Sequence, residues 1–165
     1  MPELNNLNGF TLFIEGARPV GILKSAKHPD IVEKTREIKA DYLAAQDVGL
    51  GSLEKMVFEL EIEGIKPELM ARVGTHIENL TIRAVARDPN DTVSPVKVTV
   101  SGRLTKLESG EWKTDEDNSQ KYTITCRRYI YSVGGNNVFE IDAVNRIWRQ
   151  NGKDMLAEIN AALGV

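Results

Sequence analysis

The chain has 165 residues, enough for one domain that buries a core without disulfide staples. Its apolar and charged fractions, 41% and 27%, are those of an ordinary globular protein, and aromatics at 6% leave the core to aliphatic side chains. A net charge of -3 argues against the concentrated basic surface that strong binding to nucleic acid or anionic membrane requires.

One cysteine, Cys126, allows no intrachain disulfide and fits a reducing compartment. The first residues, Met1 to Asn6, carry neither a basic region nor an apolar run, so no signal peptide is expected. No apolar stretch is long enough to span a bilayer, so no membrane anchor is expected and synthesis in a cytoplasm is.

Along the chain the dominant signal is alternation, the period of half-buried strands. Phe10, Leu12 and Ile14 alternate before Gly16, and Gly16 to Gly21 reads as a turn into Ile22–Ser25. Ile31 to Lys39 reads as extended or, given its crowded charges, as a helix. Ala40 to Ser52 shows no clean period; its apolar residues Tyr42, Leu43, Val48 and Leu50 belong either to a loop packed on its own domain or to a partner contact. Leu53 to Glu63 is the clearest strand, with Met56, Phe58, Leu60 and Ile62 inward and Glu59, Glu61 and Glu63 outward. Pro67 suits the first position of a short helix ended by Gly74, with Glu68 complementing its N-terminus. Alternation resumes through Leu80–Arg87, Val96–Leu104, Tyr122–Ile130 and Val138–Arg149. Gly134-Gly135-Asn136-Asn137 supplies hairpin chemistry between the last two runs. A second helix is expected from about Lys153 to Leu163, capped by Asn151 and closed by Gly164, packing through Leu156, Ile159 and Leu163.

Catalytic chemistry is poorly supplied. His28 and His76 sit in no metal-ligand spacing, and Cys126 falls on an apolar strand face where packing explains it. The sequence contains no Gly-x-Ser-x-Gly, P-loop or dinucleotide fingerprint. Glu59, Glu61 and Glu63 lie in a row on one strand, whereas a glycosidase pair faces across a cleft. Arg127, Tyr129 and Tyr131 share a face under strict alternation, which serves cross-strand packing as well as base stacking. No enzyme activity, cofactor or metal is expected.

With seven or eight strands and only two short helices to cover them, this chain must deal with open sheet edges. It can close a barrel within itself, or close one between subunits through a head-to-tail contact.

The ordered residues then carry a resemblance. Asn8-Gly9-Phe10-Thr11-Leu12-Phe13-Ile14-Glu15-Gly16, Gly21, Lys24-Ser25, Pro29, Lys34 and Asp47-Val48-Gly49-Leu50 match at the N-terminal end. Gly102-Arg103-Leu104 and Gly110-Glu111-Trp112-Lys113 follow in the middle. Phe139-Glu140-Ile141-Asp142-Ala143-Val144-Asn145, Asn151-Gly152-Lys153-Asp154-Met155-Leu156 and Leu163-Gly164-Val165 complete the set. The chain resembles the major tail tube proteins of contractile-tailed phages and of R-type phage-tail-like bacteriocins. It departs from them in the polar Lys27 to Ala45 stretch.

The resemblance implies a mostly-β subunit: a β-sandwich or partial barrel with one short internal helix and one C-terminal helix. This subunit would close an inter-subunit β-barrel in a hexameric ring. Rings would stack into a tube inside a sheath, with the sheath, baseplate and tape-measure proteins as partners, in a virion tail or bacteriocin particle. DNA would pass through without sequence-specific binding. On this reading Glu59, Glu61 and Glu63 are candidates to line the lumen, and Tyr42, Leu43, Val48 and Leu50 to contact other subunits or rings. The tube protein of a type VI secretion system shares the architecture. A carbohydrate-binding β-sandwich is a further alternative, needing Trp112 and Trp148 as exposed platforms.

Overall fold

The computed structural model describes residues 6–15, 19–39 and 43–165. Eleven strands and two short helices follow in the order β1 (Asn6–Ile14), β2 (Leu23–Lys27), β3 (Glu33–Ile38), β4 (Gln46–Leu53), β5 (Val57–Glu63), α1 (Pro67–Met70), β6 (His76–Arg87), β7 (Val93–Glu108), β8 (Ser119–Val133), β9 (Asn136–Asp142), β10 (Ile147–Gln150), β11 (Lys153–Asp154) and α2 (Ala157–Leu163). The mostly-β expectation holds, with more strands than the seven or eight expected, and β6, β7 and β8 run longer than the alternation indicated.

Nine strands form one antiparallel sheet built on the long β7–β8 ladder. On its other edge β8 divides: Ser119–Thr125 pairs with β5, and Arg128–Val133 pairs with β9. The sheet can therefore follow two directions from one strand, β5–β2 on one side and β9–β10–β11 on the other. The division falls at a bulge, where Ser101 pairs with Arg128 and Gly102 with Cys126, leaving Arg127 unopposed. Gly102 is needed there, because a Cβ on it would run into the Thr125 carbonyl oxygen and come within 3.0 Å of the Cys126 Cα.

The path β1–β6–β7–β8–β5–β2 curls around the core. Phe58, Leu60 and Ile62 of β5 meet Leu12, Leu80, Val100, Leu104, Tyr122 and Ile124 inside it, all essentially inaccessible. The alternation read from Leu53–Glu63 thus lies correctly on the core, although β5 itself begins at Val57. Between β1 and β2, Phe13 and Pro19 form an isolated bridge and Val20 N–H donates to the Leu12 carbonyl. Among the described residues no continuous ladder closes this seam, so the curl is a partial barrel. The expected turn at Gly16 lies outside the described residues.

Pro67 opens α1, as its fixed φ favours. The helix is anchored through Gln120: Tyr122 Oη–H donates to Gln120 Oε1 at 2.8 Å, Lys66 N–H donates to the same oxygen, and Gln120 Nε2 donates to Met70 Sδ. Gly134 and Gly135, at φ 58° and 86°, make the two-residue turn between β8 and β9.

Val138–Arg149 is a pair of strands and not one, separated where the Asp142 carboxylate accepts N–H groups from Val144 and Asn145. Asn151 is not a helix cap. With Gly152 it takes positive φ, 51° and 83°, and turns β10 back into β11, the Asn-Gly preference of tight hairpins. The C-terminal helix consequently starts later, at Ala157, and ends as expected on left-handed Gly164.

Candidate assembly interface

Two strands stand apart from this body. Among the described residues β3 and β4 pair only with each other, closing at the base through Glu54 N–H to the Val32 carbonyl. Every residue of β3 is exposed, and of β4 only Gly51 and Leu53 are partly covered. The extended reading of Ile31–Lys39 is therefore right, and the irregular reading of Ala40–Ser52 is corrected: most of it is strand. Its missing period has a physical reason. Alternation is imposed by burying one face, and beyond its base, where Gly51 and Leu53 are partly covered, this hairpin buries neither. An isolated two-stranded hairpin is at best marginally stable in water, which makes the arm the least supported part of the fold. Val48 and Leu50 are 45% and 53% exposed on it, and Leu43 near its tip is fully exposed; Tyr42 lies outside the described residues.

The carboxylates of Glu59, Glu61 and Glu63 do face away from the core, each partly buried opposite Thr123, Lys121 and Ser119 of β8. They do not form a bare acidic row. Lys121 Nζ lies 3.9 Å from Glu59 and Lys24 Nζ 3.9 Å from Glu61, while Ser25 and Ser119 hydroxyls donate to Glu61. Another outward face, on β1, β6 and β7, carries Arg83 and Lys97 among Phe13, Thr81 and Thr99, with the Arg83 guanidinium 5.4 Å from the Phe13 ring centre.

Of the residues expected to pack the C-terminal helix, Leu156 is buried, whereas Ile159 and Leu163 are 39% and 60% exposed. The cause is the late start of α2: Leu156 precedes the helix and seats in the core, and no residue of the seven-residue helix itself is fully buried. Ile159 reaches the base of the arm, where its Cδ1 occupies the space a side chain on Gly51 would need. α2, the arm base and the Asp142 turn thus enclose a groove containing Met56, Ile141, Trp148 and Leu156. Trp148 is buried with its Nε1–H unpaired among the described residues, so it cannot serve as an exposed sugar platform.

The reactive side chains are accounted for by packing. Cys126 is buried and its thiol is pushed up to about 12 by desolvation, which suppresses the nucleophilic thiolate. His28 lies edge-on to Phe58, Tyr129 and Tyr131, shares a 3.2 Å hydrogen bond with the Tyr129 hydroxyl, and is held below its ordinary pKa by burial. The bulge at Arg127 breaks the alternation that had grouped it with Tyr129. Arg127 is exposed and 3.4 Å from Glu78, whereas Tyr129 is buried. Among the described residues no group of three His, Cys, Asp or Glu could hold a metal. Also among the described residues, no helix is long and apolar enough to cross a membrane.

Residues 4–164 match the family described as phage tail tube protein FII. The chain belongs to that family. It is 29% identical over 163 residues to the major tail tube protein of Serratia phage KSP20, covering 94% of each chain. It is 25% identical over 162 residues to the tail tube protein of Escherichia phage P2, covering 93% of this chain and 94% of that one. Among solved structures it resembles the sheath/tube terminator of an extracellular contractile injection system, PVC, in its extended state. That match has a TM-score of 0.55 and 17% identity, over 76% of this chain and 94% of that one. It also resembles the tube-terminating cap of the anti-feeding prophage, at a TM-score of 0.53 and 20% identity over 74% and 87% of the two chains. At these identities the two structures establish shared fold. The family is a structural one, and the tail tube protein is not an enzyme.

Proposed function

We propose that the 165 residues act as one tail tube domain that assembles into hexameric rings, stacked as the tube of a contractile tail and enclosed by a sheath. The observation that carries this reading is the arm: a β-hairpin exposed on both faces beyond its base, on a body with no continuous ladder across its seam among the described residues, in a chain whose residues 4–164 match the tail tube family. Partners beyond itself are the sheath, the baseplate and the tape-measure protein. The work is mechanical, and DNA, or ions in a phage-tail-like bacteriocin, passes through the lumen. The particle is a virion tail or a bacteriocin released from the host.

Glu59, Glu61 and Glu63 serve in this reading as lumen-facing side chains. Their lysine neighbours moderate the charge, leaving a surface to which DNA phosphates adhere less than to the Arg83–Lys97 face. Val48 and Leu50 of the arm and Leu43 contact neighbouring subunits or rings, as does Tyr42, which lies outside the described residues. Sedimentation of concentrated protein, with and without a baseplate nucleus, tests the assembly. Tube-sized particles support it, and monomer under every condition refutes it. Replacing the three glutamates with lysine tests the lumen assignment, which predicts poor assembly or slowed passage of DNA; normal assembly and ejection would move them to the outer surface.

A further inference from the structure

The arm has two chemically different faces. Cross-strand partners share a face, and Arg36 pairs with Val48 while Glu37 pairs with Asp47. One face therefore carries Lys34, Arg36, Ile38, Val48 and Leu50. The other carries Glu33, Glu37 and Asp47, with the Glu33 carboxylate lying across Gly49, where a side chain would displace it. Among the described residues neither Lys34 nor Arg36 takes part in an ion pair. A basic face with an apolar strip calls for an acidic partner carrying an apolar anchor.

Six carboxylates on the body are engaged in ion pairs: Glu15 with Arg72, Glu59 with Lys121, Glu61 with Lys24, Glu78 with Arg127, Glu108 with Lys106 and Glu140 with Arg149. The loop between β7 and β8 is different. Glu111, Asp115, Glu116 and Asp117 stand there against one lysine, Lys113, and none takes part in an ion pair among the described residues. In their midst Trp112 is 76% exposed. An indole flanked by carboxylates suits a guanidinium stacked on its face, with an aliphatic side chain beside it.

Resting on the tube reading, we propose that the Lys34–Arg36–Ile38 and Val48–Leu50 face of the arm docks on the acidic Trp112 loop of a second copy of this chain. The two surfaces lie toward opposite ends of the β5–β8 pairing. The arm joins near Val57, paired with Thr125, and the loop ends at Ser119, paired with Glu63. Six residue steps at about 3.4 Å put these ends ~20 Å apart. A contact between unlike surfaces at opposite ends of a subunit is heterologous, and it repeats from copy to copy instead of closing a pair.

The test is a charge exchange in the full-length protein. Lys34→Glu with Arg36→Glu should raise the concentration needed for assembly at least about tenfold, since like charges brought together at an interface cost that much or more. Glu116→Lys with Asp117→Lys should do the same. All four changes in one chain should restore assembly, because every copy then carries a matched pair. Oxidation of a mixture of Arg36→Cys and Asp115→Cys proteins should also give a mixed dimer; Cys126 is buried and stays silent. Normal assembly of either reversed variant, or failure of the combined variant to recover, overturns the docking while leaving tube formation in place. Absence of both tubes and the mixed dimer from otherwise folded protein overturns the two together.

Discussion

Removing Gln120 should cost more than removing the hydroxyl it serves, and the two losses should not add. Gln120 is 2% exposed and Tyr122 is fully buried, so neither polar group can turn to water. Tyr122→Phe deletes one donor and leaves Gln120 Oε1 with the Lys66 N–H, so the loss is that of one neutral hydrogen bond, about 1 kcal/mol. Gln120→Leu keeps the volume but strands the Tyr122 hydroxyl and frees the Lys66 N–H that fixes the start of α1. With roughly 1–3 kcal/mol for each of the two orphans, the expected loss is about 2–6 kcal/mol. Adding Tyr122→Phe to Gln120→Leu removes one orphan and should recover about 1 kcal/mol or more, a coupling opposite in sign to the single effect. Urea unfolding of unassembled protein, followed by far-ultraviolet circular dichroism at constant m-value, gives all four corners of the cycle. Equal losses for the two single variants, or strict additivity in the double, would show that Gln120 does not organise this contact.

Burial should make His28 a source of acid sensitivity. Its folded pKa lies below 6.5, so the unfolded chain binds the extra proton and stability falls as pH drops below 6.5, with no such loss above it; unfolding of His28→Gln should lack this component. Leu156→Ala should cost about 2–4 kcal/mol in the unassembled subunit, whereas Ile159→Ala, at a half-open site, should cost less than about 1.5 kcal/mol; equal losses would return α2 to the core. Amides of β3 and β4 should exchange far faster than those of β7 and β8 in the free subunit and become protected in the tube. Equal protection of the arm in both states would contradict its role in assembly.

The body of the fold is legible in the sequence because burial writes a period into it. Phe58, Leu60 and Ile62 alternate with glutamates since one side of β5 meets the core and the other meets solvent, and the Gly134-Gly135 turn declares itself by its backbone demands. Where burial is absent the signal fails. β4 has no periodic pattern because the arm has no core, and only its register with β3 reveals that it is a strand. Local signals also compete: Asn151 before Gly152 can cap a helix or turn a hairpin, and pairing of Arg149 with Asp154 decides for the hairpin. The Arg127 bulge is invisible to alternation, since one inserted residue exchanges the faces of everything beyond it. The lone exposed Trp112 was visible as an aromatic, but its acidic setting gained meaning only beside the unpaired basic face of the arm.

The role of the arm in tube building is open to a direct test. Electron microscopy of concentrated full-length protein, beside a variant with residues 34–51 replaced by a short Gly-Ser linker, tests that most directly. The intact chain should give hollow tubes of stacked six-fold rings, and the armless variant should remain folded but fail to stack. Tubes of normal length from the armless variant, or only dispersed monomer from the intact chain with a baseplate nucleus present, would contradict it.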